Sequence, residues 1–122
     1  MSLLTGLKVA QLGPGLAAAV CGRLFSDMGA TVGIDNAAGT SALEQWLGLG
    51  KGSADIANAN LIVVEGGPAE LKARGHDPAS LRAANPSAAI VTVAPFGQIG
   101  PDADAPATDL TLMCASGISR LL

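Results

Sequence analysis

The residues able to do chemistry in this sequence fall into a few short groups. The first is Gly13-Pro14-Gly15, with Asp35 downstream. Glycines after a strand let the backbone approach a phosphate, and an acid about 20 residues further on can hold a ribose hydroxyl. The fingerprint is incomplete, because the third glycine is missing and Pro14 sits inside the turn. Two readings remain open: a turn and helix N-terminus that cradle a phosphate or an amide-rich cofactor tail, and a tight structural turn. The broken fingerprint weighs for the second. The next group is Glu65-Gly66-Gly67-Pro68, which closes an apolar run at the kind of edge where open α/β sheets bind ligands. His76 is the single histidine and directly precedes Asp77-Pro78. It reads as a surface residue ahead of a helix cap rather than as a base. No serine, histidine and acid fall in a recognisable hydrolase arrangement. The glycine-rich segment Gly48 to Ser53 lacks the order of a phosphate-binding P-loop. Cys21 and Cys114 sit in apolar stretches, match no metal spacing, and read as buried thiols.

These groups need elements to hold them. Leu7 to Leu12 reads as a strand broken by Gly13-Pro14-Gly15. From Leu16 the period changes to that of a helix, with Leu16, Val20, Leu24 and Met28 four apart and Cys21 and Phe25 widening the same face. Gly29 stops it, and Thr31 to Ile34 forms a second strand closed by Asp35 and Asn36. Ser41 to Leu47 reads as a short helix, with Ser41 as cap and Glu44 at its third position. Trp46 is expected to cover a core edge. Leu61 to Val64 is apolar throughout, as a buried parallel strand should be. Ala69 to Ala73 makes a helical turn, and Asp77 with Pro78 starts a helix that runs to Ala84. Ile90 to Val93 is read as the fourth strand. The segment from Ile90 to Asp109 then turns through Gly97, Gly100, Pro101 and Pro106, and Asp109 is expected to cap a last helix, Leu110 to Ser116. Strand, glycine turn, helix and strand in this order predict an α/β fold: a Rossmann-like, open, mostly parallel sheet flanked by helices.

Composition bounds the function. The 122 residues suffice for one modest domain, 1–122. The net charge is -3 with no basic run, and Phe25, Phe96 and Trp46 are the only aromatics. The electrostatic footprint and the stacking platform of a nucleic-acid binder are both missing. No apolar run reaches the length of a membrane span, so a soluble cytoplasmic protein is expected. Sixteen glycines and a core of small aliphatic residues predict low intrinsic stability for an isolated monomer. Either an alanine-rich genome or a role as part of something larger explains that composition. The apolar end, Leu121-Leu122, reads as a cut made before a further element.

In order and spacing the chain resembles the N-terminal part of the class III CoA-transferases, the family of formyl-CoA transferase, carnitine CoA-transferases and alpha-methylacyl-CoA racemase. The resemblance rests on Leu7 to Val9 with Gly6 before it, on Leu24 to Ala30, and on Val32 and Asp35. It continues through Gly50-Lys51, the run Pro95-Phe96-Gly97-Gln98-Ile99-Gly100-Pro101, then Pro106, Ala107 and Asp109, and last Ser116 and Gly117. It spans nearly the whole chain.

The resemblance implies a domain that holds the adenosine-phosphate end of CoA, in subunits that interlink as rings. The matching contact positions are Leu16 and Ala17 at the start of the first helix, Glu65, Gly66 and Gly67 after the third strand, and Phe96 and Gly97 in the signature. Asp35 joins them from the turn reading. Arg74 lies one position from a family arginine and is placed to salt-bridge a CoA phosphate; an exposed helix-end cation is the equally weighted alternative. CoA or acyl-CoA is the implied ligand, with no tightly bound cofactor. The implied partners are a second copy or the remainder of a longer transferase, with neither nucleic acid nor membrane.

Departures from the family pattern bear on activity. The aspartate that carries the acyl group as a mixed anhydride, a covalent mechanism, has its family position beyond residue 122. The racemases' histidine, one of their paired bases, falls on Thr108. The usual glycine-proline at the start of helix one falls on Ala18-Ala19, the signature's first glycine on Pro95, and an asparagine-phenylalanine pair on Gly66-Gly67. The expectation is an N-terminal CoA-binding-type domain of an acyl-CoA transferase or racemase-like protein, inactive by itself. The alternative is a non-catalytic α/β module that binds a nucleotide-like ligand or a protein partner.

Overall fold

A computed structural model of the chain describes residues 2–35 and 40–120. Alternation along the strands decides its layers. In β1 (Lys8–Leu12), Val9 and Gln11 face one way and Ala10 and Leu12 the other. In β4 (Leu61–Glu65), Leu61 and Val63 join the Val9 side, while Ile62 and Val64 join the Leu12 side. A strand apolar on both faces needs cover on both, and helices supply it. On the first side α1 (Leu16–Asp27) packs Ala18 against Val9, Val32 and Val63. On the second, Leu71 of α3 (Pro68–Ala73) and Leu81 of α4 (Pro78–Ala84) close over Leu12, Ile62 and Val64.

The remaining strands are β2 (Thr31–Ile34), β3 (Gly52–Ser53) and β5 (Ala89–Val93). Among the described residues the five strands run in the order β3-β2-β1-β4-β5 and every pairing is parallel. The sheet is thus the open, Rossmann-like parallel sheet that the residue pattern implies. The stretch read as a glycine-rich loop contains one more strand: Gly52 and Ser53 pair with Gly33 and Ile34. Two residues are too short for a side-chain period, so the strand left no pattern in the sequence, and Ile90 lies in the fifth strand rather than the fourth.

Helix starts follow their capping chemistry. Ser41 and Glu44 form a reciprocal capping box at α2 (Ala42–Gly48). Asp77 accepts from the amides of Ala79 and Ser80 at the start of α4, with Pro78 at the first helical position. For α5 (Asp109–Ala115) the cap is Thr108, one residue before the expected Asp109. The Thr108 and Thr111 side chains satisfy each other's backbone amides, which leaves Asp109 inside the first turn, where its charge suits the helix dipole. A 3-10 turn (Ile118–Arg120) follows. Asn36 and the pair Leu121-Leu122 lie outside the described residues.

Three side-chain expectations are overturned. The four-apart stripe of α1 is not its buried face: Leu16 is 57% and Leu24 58% exposed, while Ala18 and Gly22 are buried and Cys21 and Phe25 half-buried. Small residues win because α1 lies close to the sheet over Gln11. Lys51 donates to Gln11 Oε1 at 2.6 Å and to the Ala19 carbonyl at 2.9 Å, and a Cβ on Gly22 would collide with this pair. Burial, and next the charge of Arg23, pull the Lys51 amine below its usual value. Trp46 covers no core. It is half exposed, with the Arg23 guanidinium 4.9 Å from its ring centre, and Leu47 is the residue that α2 buries. Neither cysteine is fully buried: Cys21 is half-buried and Cys114 lies exposed on α5, which buries nothing.

Candidate functional site

The carboxyl ends of β1, β2 and β4 meet at one edge. After β1 the chain crosses to β2 on one side, whereas β4 lies on the other, so the crossovers diverge there and leave a crevice. Gly13 opens the turn at φ 103°, and a Cβ on it would meet the Glu65 carbonyl at 2.7 Å and Arg74 Nη1 at 3.3 Å. Both the backbone angle and the closeness of β4 therefore demand glycine. Gly15 provides no side-chain cap for α1. Glu65 supplies one from the end of β4: its Oε2 accepts from the Ala18 amide at 2.7 Å. Asp35, just past β2, accepts from the Gly13 amide at 3.1 and 3.2 Å.

Behind the turn sits a charged cluster. Arg74 Nη2 donates to Glu70 Oε1 at 2.7 Å and to the Glu65 carbonyl at 3.2 Å. His76 Nδ1 stands 3.7 Å from Asp35 Oδ2. Arg74 Nε and His76 Nδ1 are buried without a hydrogen-bond partner among the described residues. His76 does precede the Asp77 cap as the sequence suggests, but its ring is turned inward toward Asp35.

In front of the turn, the loop that follows β5 folds over β4's end. Gln98 Nε2 donates to the Gly66 carbonyl at 2.9 Å, and Asp104 Oδ1 accepts from the Ala69 amide at 2.8 Å, capping α3. A Cβ on Gly67 would approach Asp104 Oδ1 to 3.0 Å and the Ala103 carbonyl to 3.3 Å, so the missing side chain at Gly67 gives the loop room. Two clefts result. One of about 440 Å³ is walled by Gly15, Glu65, Gly66, Gly67, Glu70 and Asp104 among others. The other, of about 610 Å³, lies between α1 and α5 and is lined by Leu16, Ala17, Val20, Val93, Asp109 and Leu112. Glu65 and Pro95 border both. Among the described residues, every charged side chain lining either cleft is a carboxylate.

Of the expected site residues, Leu16, Ala17, Glu65, Gly66 and Gly67 lie on the cleft walls. Asp35 and Arg74 lie behind the turn and line neither cleft, and Phe96 and Gly97 sit in the post-β5 loop away from both walls. Gln98 and Asp104 carry the loop's latch, yet nothing in the sequence spacing singled out Asp104. Among the described residues there is no group of acids, histidines and cysteines able to hold a metal, and no helix is long and apolar enough to cross a membrane.

Comparison with solved structures agrees with this architecture. A hypothetical protein of Mycobacterium tuberculosis, Rv3272, superposes on all of this chain with a TM-score of 0.78 at 22% identity, a likeness of fold. A CaiB/BaiF family protein from Brucella suis superposes on 96% of it with a TM-score of 0.78 at 26% identity. The chain spans 41% of the first protein and 40% of the second. No curated protein matches it in sequence. The model of CoA-transferase family III matches residues 55–121. That stretch holds β4, Glu65, the latch loop and α5, more than half of the chain, and on it the chain belongs to CoA-transferase family III.

Proposed function

We propose that this domain is the N-terminal, CoA-binding-type part of a class III acyl-CoA transferase or racemase-like protein, and that it does not turn over by itself. One observation carries the reading: two clefts share Glu65 and Pro95 as lining residues at the sheet's carboxyl edge, in a chain of a CoA-handling family. An extended ligand such as CoA is long enough to engage two neighbouring clefts, which a compact one is not. Leu16 and Ala17 would contact it on the apolar side, and Glu65, Gly66 and Gly67 at the sheet edge. For Arg74 to meet a phosphate, its guanidinium would exchange the Glu70 carboxylate for it. Acyl transfer would draw its nucleophilic carboxylate from outside this chain. A cytoplasmic location is part of this proposal.

Calorimetric titration of the folded chain with CoA, and then with adenosine bisphosphate, tests the reading. Saturable binding of both is the expected result. No heat from a sample shown to be folded would overturn it.

A protein partner is a second reading, and the exposed apolar residues favour it. Leu16, Val20 and Leu24 form an uncovered stripe on α1, and Leu110 of α5 is 71% exposed. A further polypeptide surface, a second copy included, would cover them. Light scattering across a concentration series checks for self-association. A strictly monomeric chain at every concentration would rule out the second copy.

A further inference from the structure

The β1–α1 turn has the outline of a pyrophosphate cradle, yet two of its amides, those of Gly13 and Ala18, are already used. In a working cradle the backbone N–H groups of the turn and of the first helical residues point at a bound anion. Here the Gly13 amide donates to the Asp35 carboxylate at 3.1 and 3.2 Å, and the Ala18 amide donates to Glu65 Oε2 at 2.7 Å. One acid lies just past β2 and the other at the end of β4, 22 and 47 residues from their donors, and β2 and β4 flank β1 on opposite sides. Gly15 adds room for one of them, since a Cβ there would fall on the Glu65 carboxyl group. The nearest cation does not restore the cradle. The Arg74 guanidinium is committed to Glu70 and to the Glu65 carbonyl.

We infer that Glu65 and Asp35 are resident anions that occupy the Gly13 and Ala18 amides of this turn and make it select against pyrophosphate. A phosphate that used the Gly13 and Ala18 amides would have to break two charge-assisted hydrogen bonds, and anywhere at the turn it would lie beside two carboxylates, so it meets competition and repulsion together. The two acids therefore decide specificity at the site: a ligand crossing the turn presents an uncharged portion to Glu65 and keeps its phosphates elsewhere. The inference rests on the hydrogen bonds of the turn and stands apart from the CoA reading.

The test is a titration of the isotope-labelled chain with inorganic pyrophosphate, followed on the amide resonances of Gly13 and Ala18. In the wild-type chain these resonances are expected to stay in place at millimolar pyrophosphate. In the double variant Asp35→Ala, Glu65→Ala they should move saturably, with affinity raised by about tenfold or more, since each freed amide regains a charged acceptor. Saturable movement in the wild type would overturn the inference, and so would a folded double variant with no gain. If the double variant does not fold, Glu65→Gln carries the same test, because it keeps the size and an acceptor oxygen and removes one charge. No gain in that variant overturns the inference as well. The probe is pyrophosphate, so a failed CoA titration would sink the CoA reading and leave this outcome intact.

Discussion

At the scale of single residues, Lys51 shows how a polar group can be locked into a small aliphatic core. Its amine spans Gln11, which is 6% exposed, and the Ala19 carbonyl. Truncating it strands a buried amide oxygen, so Lys51→Ala is expected to cost about 1–3 kcal/mol, read as a lower denaturant midpoint with an unchanged slope. Asp77 makes a pH prediction. The hydroxyl of Ser80, and then backbone amides of the same turn, hold its carboxyl below the usual 3.8. A depressed folded-state value stabilises above the unfolded value and is lost as pH falls through the folded one. The thermal midpoint should thus be flat above about pH 5 and fall below about pH 4, with a shallower fall in Asp77→Asn. The Asp77-Pro78 start and the Ser41-Glu44 box were legible because donor and acceptor are neighbours in sequence. The Glu65 bond to Ala18 was not, because only the folded sheet brings together residues 47 apart.

At the scale of elements, α1 and α5 depart most from what periodicity suggests. A four-apart apolar stripe normally marks the buried face. In α1 the close approach to Gln11 and Lys51 selects the alanine and glycine face, and the leucines stay outside. Volume and proximity overrode hydropathy, and no window of sequence contains the opposing strand. Leu24→Gln should therefore leave stability within about 0.5 kcal/mol, as for an ordinary surface site, whereas a buried leucine in its place would cost several times more. For α5, which buries no residue, the cap is the main local support. Thr108→Ala is expected to cost about 1 kcal/mol, seen as faster amide exchange across the helix with little change in the global unfolding midpoint.

At the scale of the whole molecule, the α/β class and the glycine turn at a strand end were readable, since a change of period from two to 3.6 announces each crossover. The strand order was not. β1 lies at the centre between β2 and β4, and nothing local states which strands will flank it. Two-sided burial makes the centre costly to disturb: Leu71 and Leu12 are fully buried on the α3–α4 side. Leu71→Ala is expected to cost about 2–5 kcal/mol, a large share of the 5–15 kcal/mol typical of a domain. Equilibrium unfolding of that variant would show the loss directly.

The parallel pairing of β1 with β4 also sets a timetable for synthesis. Lys8 and Asn60, 52 residues apart, are joined by a 2.9 Å bond at one end of that pairing, and Glu65 reaches α1 at the other. A nascent chain that has emerged only through β2 has an apolar strand with one side open and a helix whose N-terminus has no side-chain cap. The early part of the polypeptide therefore cannot complete its sheet or secure its own first helix until β4 has been made.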